Sequence, residues 1–175
     1  FQGSRGLGDV YKRQDYLYTL SIVHSKLKHH TKAIEILEEL LITNPFNEEV
    51  ISHLANEYQY TSDYSKSNDM LEKLLMLDSK NDLYWYTYII SSEIEENSNR
   101  AIAFIKKYLR TNPYDYEAWF YLGAAYQRKE DHLNAIDAFD YTIYIQEDYV
   151  KAYINKADSL SELGYYQNAI DCCLD

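Results

Sequence analysis

The sequence predicts an all-α fold of stacked antiparallel helix pairs, and three observations support this prediction. Similar residue types recur every 34 residues along most of the chain. Within each recurrence, apolar residues stand three and four positions apart, which is the spacing of one face of an α-helix. Between recurrences the sequence collects Asn, Asp, Ser and Pro, which favour helix ends and turns.

The clearest copy of the pattern begins at Tyr116. Its two predicted helices spell W-x2-L-G-x2-Y and A-x3-F, at Trp119, Leu122, Gly123, Tyr126, Ala135 and Phe139. The apolar residues of the first helix form one stripe that must leave water, so we expect Trp119 in the core. A glycine at position 123 opposite the small Ala135 would let the two helix backbones approach closely.

The same register extends along the chain and defines the predicted elements in order. Repeats begin at Gln14, Glu48, Asp82, Tyr116 and Val150, so we predict one array over residues 14–175, divided as 14–47, 48–81, 82–115, 116–149 and a partial 150–175. Pro45 and Pro113 occupy the same repeat position, where a proline ends the second helix. Residues 1–13 lack helical periodicity, and we expect them to be a tag-derived, vector-derived or disordered leader.

These motifs resemble those of the tetratricopeptide repeat family, and the resemblance covers residues 14–175. It implies a right-handed α-solenoid in which each helix pair is stabilised by its neighbours. It also implies a non-catalytic scaffold that binds a protein or peptide segment in a concave groove lined by the first helices. Carrying the family's groove positions onto this chain gives the candidates Tyr18, Ser52, Asn56, Gln59, Tyr86, Phe120, Gln127, Ile154 and Asp158.

The same positions argue against one mode of binding known in the family. Members that grip a terminal carboxylate carry Lys and Asn at the fifth and ninth positions of one repeat. In the fourth repeat of this chain these positions hold Phe120 and Ala124. We therefore do not expect the groove to bind acidic chaperone tails.

Two other roles stay open at the level of sequence. The chain would be a regulatory or targeting segment of a longer enzyme or secretion component if a further domain follows Asp175 in the gene. It would be a self-assembling scaffold if the apolar end of the partial fifth repeat stacks on a second copy as a homodimer. A mass that rises with concentration would indicate the second of these roles.

Composition narrows the partners. The chain carries 28 acidic and 17 basic residues and a net charge of −11, which disfavours binding to nucleic-acid phosphates. We predict no membrane span and a cytoplasmic location, although two cysteines are too few to exclude the periplasm. A richness in Tyr, Asn, Ile and Lys favours a bacterial gene. Many of the 20 tyrosines fall at packing positions, namely Tyr58, Tyr64, Tyr126, Tyr153 and Tyr166.

The sequence offers little support for catalysis, and we predict neither a metal nor a cofactor. His29 and His30 are adjacent, whereas two helical metal ligands would stand four residues apart. No nucleophile with a base partner and no phosphate-binding glycine loop is visible. Cys172 and Cys173 are neighbours on one predicted helix and point in different directions, with Cys173 expected in the core and Cys172 more exposed.

Overall fold

The computed structural model describes residues 3–95 and 97–174, with side chains from Lys12 onward. Within these residues the backbone forms ten α-helices and no strand, which confirms the predicted all-α class. The chain divides into two compact units, Phe1–Asp78 and Ser79–Asp175. The prediction of one array over 14–175 stays a prediction.

The first unit contains four helices that pack in chain order. They are α1 (Gly3–Lys26), α2 (His30–Thr43), α3 (Glu48–Tyr60) and α4 (Tyr64–Leu77). Helix α2 packs on α1 and on α3, and α3 packs on α4. A core of Leu37, Leu40, Val50, Leu54 and Tyr58 lies between these helices, as their three- and four-residue spacing requires.

Helix α1 begins earlier than the sequence suggested. Residues 3–13 continue the helix rather than leading into it, and Arg13 forms an ion pair with Glu39 of α2 at 3.3 Å. The part of the leader prediction that concerns Phe1 and Gln2 lies outside the described residues. A vector origin for residues 1–13 remains a prediction.

The second unit contains six helices, and its arrangement positions the candidate site. They are α5 (Asp82–Ile94), α6 (Ser98–Leu109), α7 (Tyr116–Arg128), α8 (His132–Ile145), α9 (Val150–Glu162) and α10 (Tyr166–Leu174). Consecutive helices pack as pairs, and in addition α7 contacts both α5 and α9. The first helices of three successive repeats therefore lie side by side.

Four of the five predicted repeat starts coincide with observed helix starts, and Gln14 lies inside α1. Helices α3, α5, α7 and α9 begin at the other four, and their entry is fixed by N-caps such as Asn47 and Asp115. The Asp115 side chain accepts a hydrogen bond from the backbone N–H of Ala118 at 3.2 Å, which satisfies a donor that the helix itself leaves unpaired.

A left-handed residue follows most first helices, and at three positions the residue type does not predict this conformation. Lys28, Ser62 and Glu130 have φ of 59°, 61° and 60°, and Gly164 has φ of 80°. After each, the backbone N–H of the next residue bonds back across the helix end, as from Asp131 to the Tyr126 carbonyl at 3.0 Å. The corresponding position in the third repeat, residue 96, lies outside the described residues.

The small residues at the alanine position of the A-x3-F motif lie in the core, as predicted. Ala33, Ala101 and Ala135 are fully buried, and a Cβ added to Gly123 would lie 2.4 Å from a ring carbon of Phe139. Helices α7 and α8 therefore approach as closely as the motif suggested, with the Phe139 ring rather than Ala135 directly facing the glycine.

Three core predictions are wrong in detail. Trp119 is only partly buried, because its ring stacks at 4.4 Å on Tyr141, which is itself exposed. Trp85, at the same repeat position, is fully buried. Cys172 is the buried cysteine and Cys173 the exposed one, because Cys172 is on the α10 face that packs on α9. Tyr166 is 67% exposed at the start of α10.

Candidate functional site

A cleft with a volume of about 830 Å³ lies on helices α5, α7 and α9 of the second unit. Apolar and polar residues both line it. The apolar lining residues, which we call the floor, are Leu83, Tyr86, Ile89, Ile90, Phe120 and Ala124, and the polar lining residues are Asp82, Tyr121, Gln127, Arg128, Lys151 and Asn155. A concave apolar surface with a few polar groups at its edge is typical of a binding site.

The two aromatic rings that the sequence predicted for this surface have different roles. Phe120 is only 8% exposed, because its ring packs against Tyr121, Phe139 and Tyr149 at centroid distances of 5.2, 5.8 and 5.3 Å. Tyr86 is 59% exposed. Phe120 therefore forms a fixed part of the floor, whereas Tyr86 is available to contact a partner.

Ion pairs close both ends of the cleft. At one end Lys151 Nζ of α9 lies 2.8 Å from Asp82 Oδ2 of α5, and at the other Arg128 Nε of α7 lies 2.7 Å from Glu93 Oε2 of α5. The hydrogen bond from Lys151 lowers the pKa of Asp82 and raises the pKa of Lys151. Both pairs are partly exposed to solvent, so salt screens them.

The polar groups of the cleft wall are tied to the backbone. Gln127 Nε2 donates to the carbonyl of Asn155 at 2.9 Å, and Asn155 Nδ2 donates to the carbonyl of Lys151 at 2.8 Å. The hydroxyl of Tyr121 lies 3.4 Å from the carbonyl of Asp82, and burial raises the pKa of this hydroxyl. The contacts of Gln127 and Tyr121 join α7 to α9 and to α5.

A second cavity adjoins the cleft at Gln127 and has a different character. Its volume is about 650 Å³, and it is lined by Gln127, Glu130, His132, Asp158, Ser161 and Glu162. Asp158 is a predicted groove residue and lies here. Ile154, also predicted, is 54% exposed on α9 and stands in the sequence between the cleft residues Lys151 and Asn155.

The predicted residues of the first unit have different surroundings. Tyr18 lines a small cavity of about 90 Å³ near Glu49, and burial with that carboxylate raises the pKa of Tyr18 to about 12. Ser52 is partly buried, Asn56 is exposed, and Gln59 donates to Ser67 Oγ at 3.2 Å. Whether these four residues bind a partner stays a prediction.

Residues outside the family's groove positions also line the cleft. The missed residues are Asp82, Ile89, Tyr121, Arg128 and Asn155. Arg128 and Asn155 directly follow the predicted Gln127 and Ile154 in the sequence. Their roles depend on contacts with neighbouring helices, such as the Arg128–Glu93 pair. A rule that selects one position per helical turn does not detect them.

The first unit contains a buried carboxylate that sequence reasoning also missed. Glu57 is fully buried, with Oε2 2.8 Å from His30 Nδ1 and Oε1 3.4 Å from His53 Nε2, while Ser25 Oγ donates to Oε1. A buried carboxylate requires such partners. Across residues 3–95 and 97–174, no group of three or more His, Cys, Asp and Glu side chains is arranged to hold a metal ion.

Comparison with known sequences places the chain among helical repeat proteins. Residues 150–175 match the tetratricopeptide repeat family model. The general transcriptional corepressor trfA of Dictyostelium discoideum is 22% identical over 125 residues, which cover 69% of this chain and 9% of that protein. The BBSome complex member BBS4 homolog of Drosophila melanogaster is 25% identical over 185 residues, which cover 86% of this chain and 38% of that protein.

Solved structures share the fold. The crystal structure of MamA protein superposes with a TM-score of 0.60 at 19% identity, covering 91% of this chain and 87% of that one. MamA 41-end from Desulfovibrio magneticus RS-1 gives a TM-score of 0.60 at 15% identity, covering 91% and 90%. Helix pairs packed in chain order on small residues define an α-solenoid class of protein. Within this fold, residues 150–175 are similar to a tetratricopeptide repeat.

The matched region and the helices are both limited in length. The chain spans less than half the length of the curated relatives it matches. In the part of the chain that the structure describes, every helix is too short or too polar to cross a membrane.

Proposed function

We propose that the protein is a non-catalytic interaction scaffold that binds a peptide segment of a partner protein in the cleft on α5, α7 and α9. The observation that carries the proposal is the cleft itself, which has a volume of about 830 Å³, an apolar floor and two ion pairs that join its helices. A side chain of the partner would pack on Tyr86 and Phe120, where aromatic surface supplies contact area at low entropic cost.

The relatives support this proposal without naming the partner. Tetratricopeptide repeats are scaffolds whose function lies in a few surface residues of the stacked helices. The Drosophila relative is by its name a member of a complex, which agrees with a role in assembly. The identity of the bound segment and its conformation are part of the proposal, as is membership of a complex.

The test places a photoreactive amino acid at Tyr86 and, as a matched control, at Tyr144. Tyr144 is 85% exposed on α8 and does not line the cleft. We expect irradiation of the full chain in cell lysate to cross-link a distinct protein from position 86 that position 144 does not capture. The same products from both positions would refute the cleft as the binding site.

A second candidate function is self-association through α10. This helix exposes Tyr166, Ile170 and Leu174, which are spaced four residues apart along one side and are 67%, 54% and 79% exposed. Such a stripe suits packing against a second helix. Sedimentation across a concentration series tests it, since Ile170→Glu should keep the chain at monomer mass if α10 mediates a dimer. A monomer at every concentration before substitution would rule it out.

A further inference from the structure

The apolar cleft and the acidic cavity of the second unit form one continuous surface through Gln127. Helix α9 contributes to both, with Lys151 and Asn155 in the cleft and Asp158 and Glu162 in the acidic cavity. These four residues stand three or four positions apart, so they lie along one side of the helix. A partner that follows α9 would therefore pass from an apolar environment into an acidic one.

Glu130, Asp158 and Glu162, the three carboxylates of the acidic cavity, are exposed to solvent. Among the described residues, no Lys, Arg or His side chain forms an ion pair with Glu130, Asp158 or Glu162. The nearest cations in the sequence are bound elsewhere, since Lys129 donates to Asn99 at 2.8 Å and Lys156 pairs with Asp140 at 2.6 Å.

The wall of this cavity also holds an unsatisfied polar atom. Nδ1 of His132 is buried and has no hydrogen-bond partner within the described residues. Buried polar atoms are nearly always hydrogen-bonded in folded proteins. His132, which lines the acidic cavity, therefore has an unused hydrogen-bonding atom.

We infer that the partner segment is an extended, basic peptide in which a large apolar side chain is followed by Lys or Arg. The apolar side chain occupies the cleft over Tyr86 and Phe120, and the basic side chains pair with Asp158 and Glu162. This inference rests on the proposed function, because it specifies the partner of the same cleft. The net charge of −11 favours the approach of such a peptide over an acidic one.

The helix geometry sets the spacing between the apolar and basic residues of the peptide. By the 34-residue register, Phe120 of α7 is level with Ile154 of α9. Asp158 and Glu162 then lie about 6 and 12 Å further along the axis, at a rise of about 1.5 Å per residue. An extended peptide advances about 3.3 Å per residue, so its basic residues should follow the apolar one by about two to four positions.

The experiment selects a random-peptide phage library on the full chain and measures the enriched peptides as fluorescein conjugates by anisotropy. Three variants are compared with the unsubstituted chain. Tyr86→Ala removes the exposed ring of the cleft, and Asp158→Lys with Glu162→Lys reverses the acidic cavity. The matched control, Asp137→Lys with Glu147→Lys, changes the net charge equally at exposed positions outside both cavities.

The expected peptides carry a large apolar residue followed by Lys or Arg at the stated spacing. Their affinity should fall about tenfold or more in the cavity reversal, much less in the control pair, and should weaken as salt is added. Peptides that need Tyr86 yet lack basic residues, or ignore the cavity reversal, would overturn the basic-partner inference and leave the cleft standing. Selected peptides that bind Tyr86→Ala unchanged would overturn the proposed function together with the inference.

Discussion

The close contact between α7 and α8 can be tested by adding a single methyl group. In Gly123→Ala the new Cβ would meet three ring carbons of Phe139 at 2.4, 2.7 and 2.8 Å. Carbon atoms normally approach to about 3.5–4.0 Å, so the ring or the helices must move by about 1 Å. The Phe139 ring is fully buried, which prevents it from turning away into solvent.

The expected magnitude follows from two opposing effects. Overpacking a core by one carbon typically costs about 1–3 kcal/mol, and the contacts here favour the upper half of that range. Replacing a helical glycine by alanine stabilises the helix by about 1 kcal/mol. We therefore expect Gly123→Ala to lower the free energy of unfolding of residues 79–175 by about 1–2 kcal/mol.

Tryptophan fluorescence during urea denaturation measures this change in free energy for residues 79–175 separately. The two tryptophans, Trp85 and Trp119, both lie in residues 79–175, so their emission reports that unit alone. The double variant Gly123→Ala with Phe139→Leu should show favourable coupling, because the smaller side chain makes room for the methyl group. A single variant that is as stable as the original chain, or more stable, would refute the steric argument.

Three further predictions concern the first unit. Ser62→Gly should stabilise it by about 0.5–1 kcal/mol, because glycine adopts the left-handed conformation without strain. Thermal denaturation followed by circular dichroism measures the change, and no gain in stability would argue against a left-handed backbone at residue 62. Glu57→Ala should destabilise it by about 3 kcal/mol because buried donors lose their acceptor, and a loss below 1 would show that the cluster contributes little. The pKa values of Tyr18 and Tyr58 are raised in the folded state, so both hydroxyls stay neutral there. Their contribution to the free energy of unfolding is therefore complete below pH 10 and is lost as the pH rises through their folded-state pKa values. Tyrosinate absorbance that develops fully near pH 10, before the chain unfolds, would contradict this prediction.

Much of the helix placement could be predicted because it depends on local chemistry. Each N-cap acts within three residues of its own position, as Asp115 does for the Ala118 N–H, so turn residues mark helix starts directly. The left-handed residues were not predicted, since Lys28 and Glu130 are not residue types that favour this conformation. There the hydrogen bonds of the helix end determine the backbone, rather than the intrinsic preference of the residue.

The burial of equivalent positions was harder to predict than the repeat itself. Trp85 and Trp119 occupy the same repeat position, yet only Trp85 is fully buried, stacked on Tyr121 and packed against Tyr108. Which face of a ring is covered depends on residues from other helices, and these differ between repeats. The cysteines show the same limit, because the register placed Cys173 where Phe139 lies but nothing in the described residues covers it there.

The candidate site was anticipated in part for a related reason. Tyr86, Phe120 and Gln127 line the cleft because first helices lie side by side in any such array. Their different exposure depends on rings from neighbouring helices, such as those around Phe120. The absence of ion pairs at Glu130, Asp158 and Glu162 within the described residues depends on which neighbouring cation reaches which partner. Sequence spacing identifies candidates for pairing along one helix, but it does not choose between pairs that join different helices.

The ion pair between Lys151 and Asp82 joins α9 to α5, two repeats away and past the intervening α7. The energetics of stacked repeats are usually written as a one-dimensional chain, with an intrinsic term for each repeat and a coupling only between neighbours. Residues 79–175 require one more term, a coupling between second neighbours that weakens as ionic strength rises. Removing the fifth repeat should therefore change the opening of the third even though the fourth lies between them, and at high salt this part of the protein should return to simple nearest-neighbour behaviour.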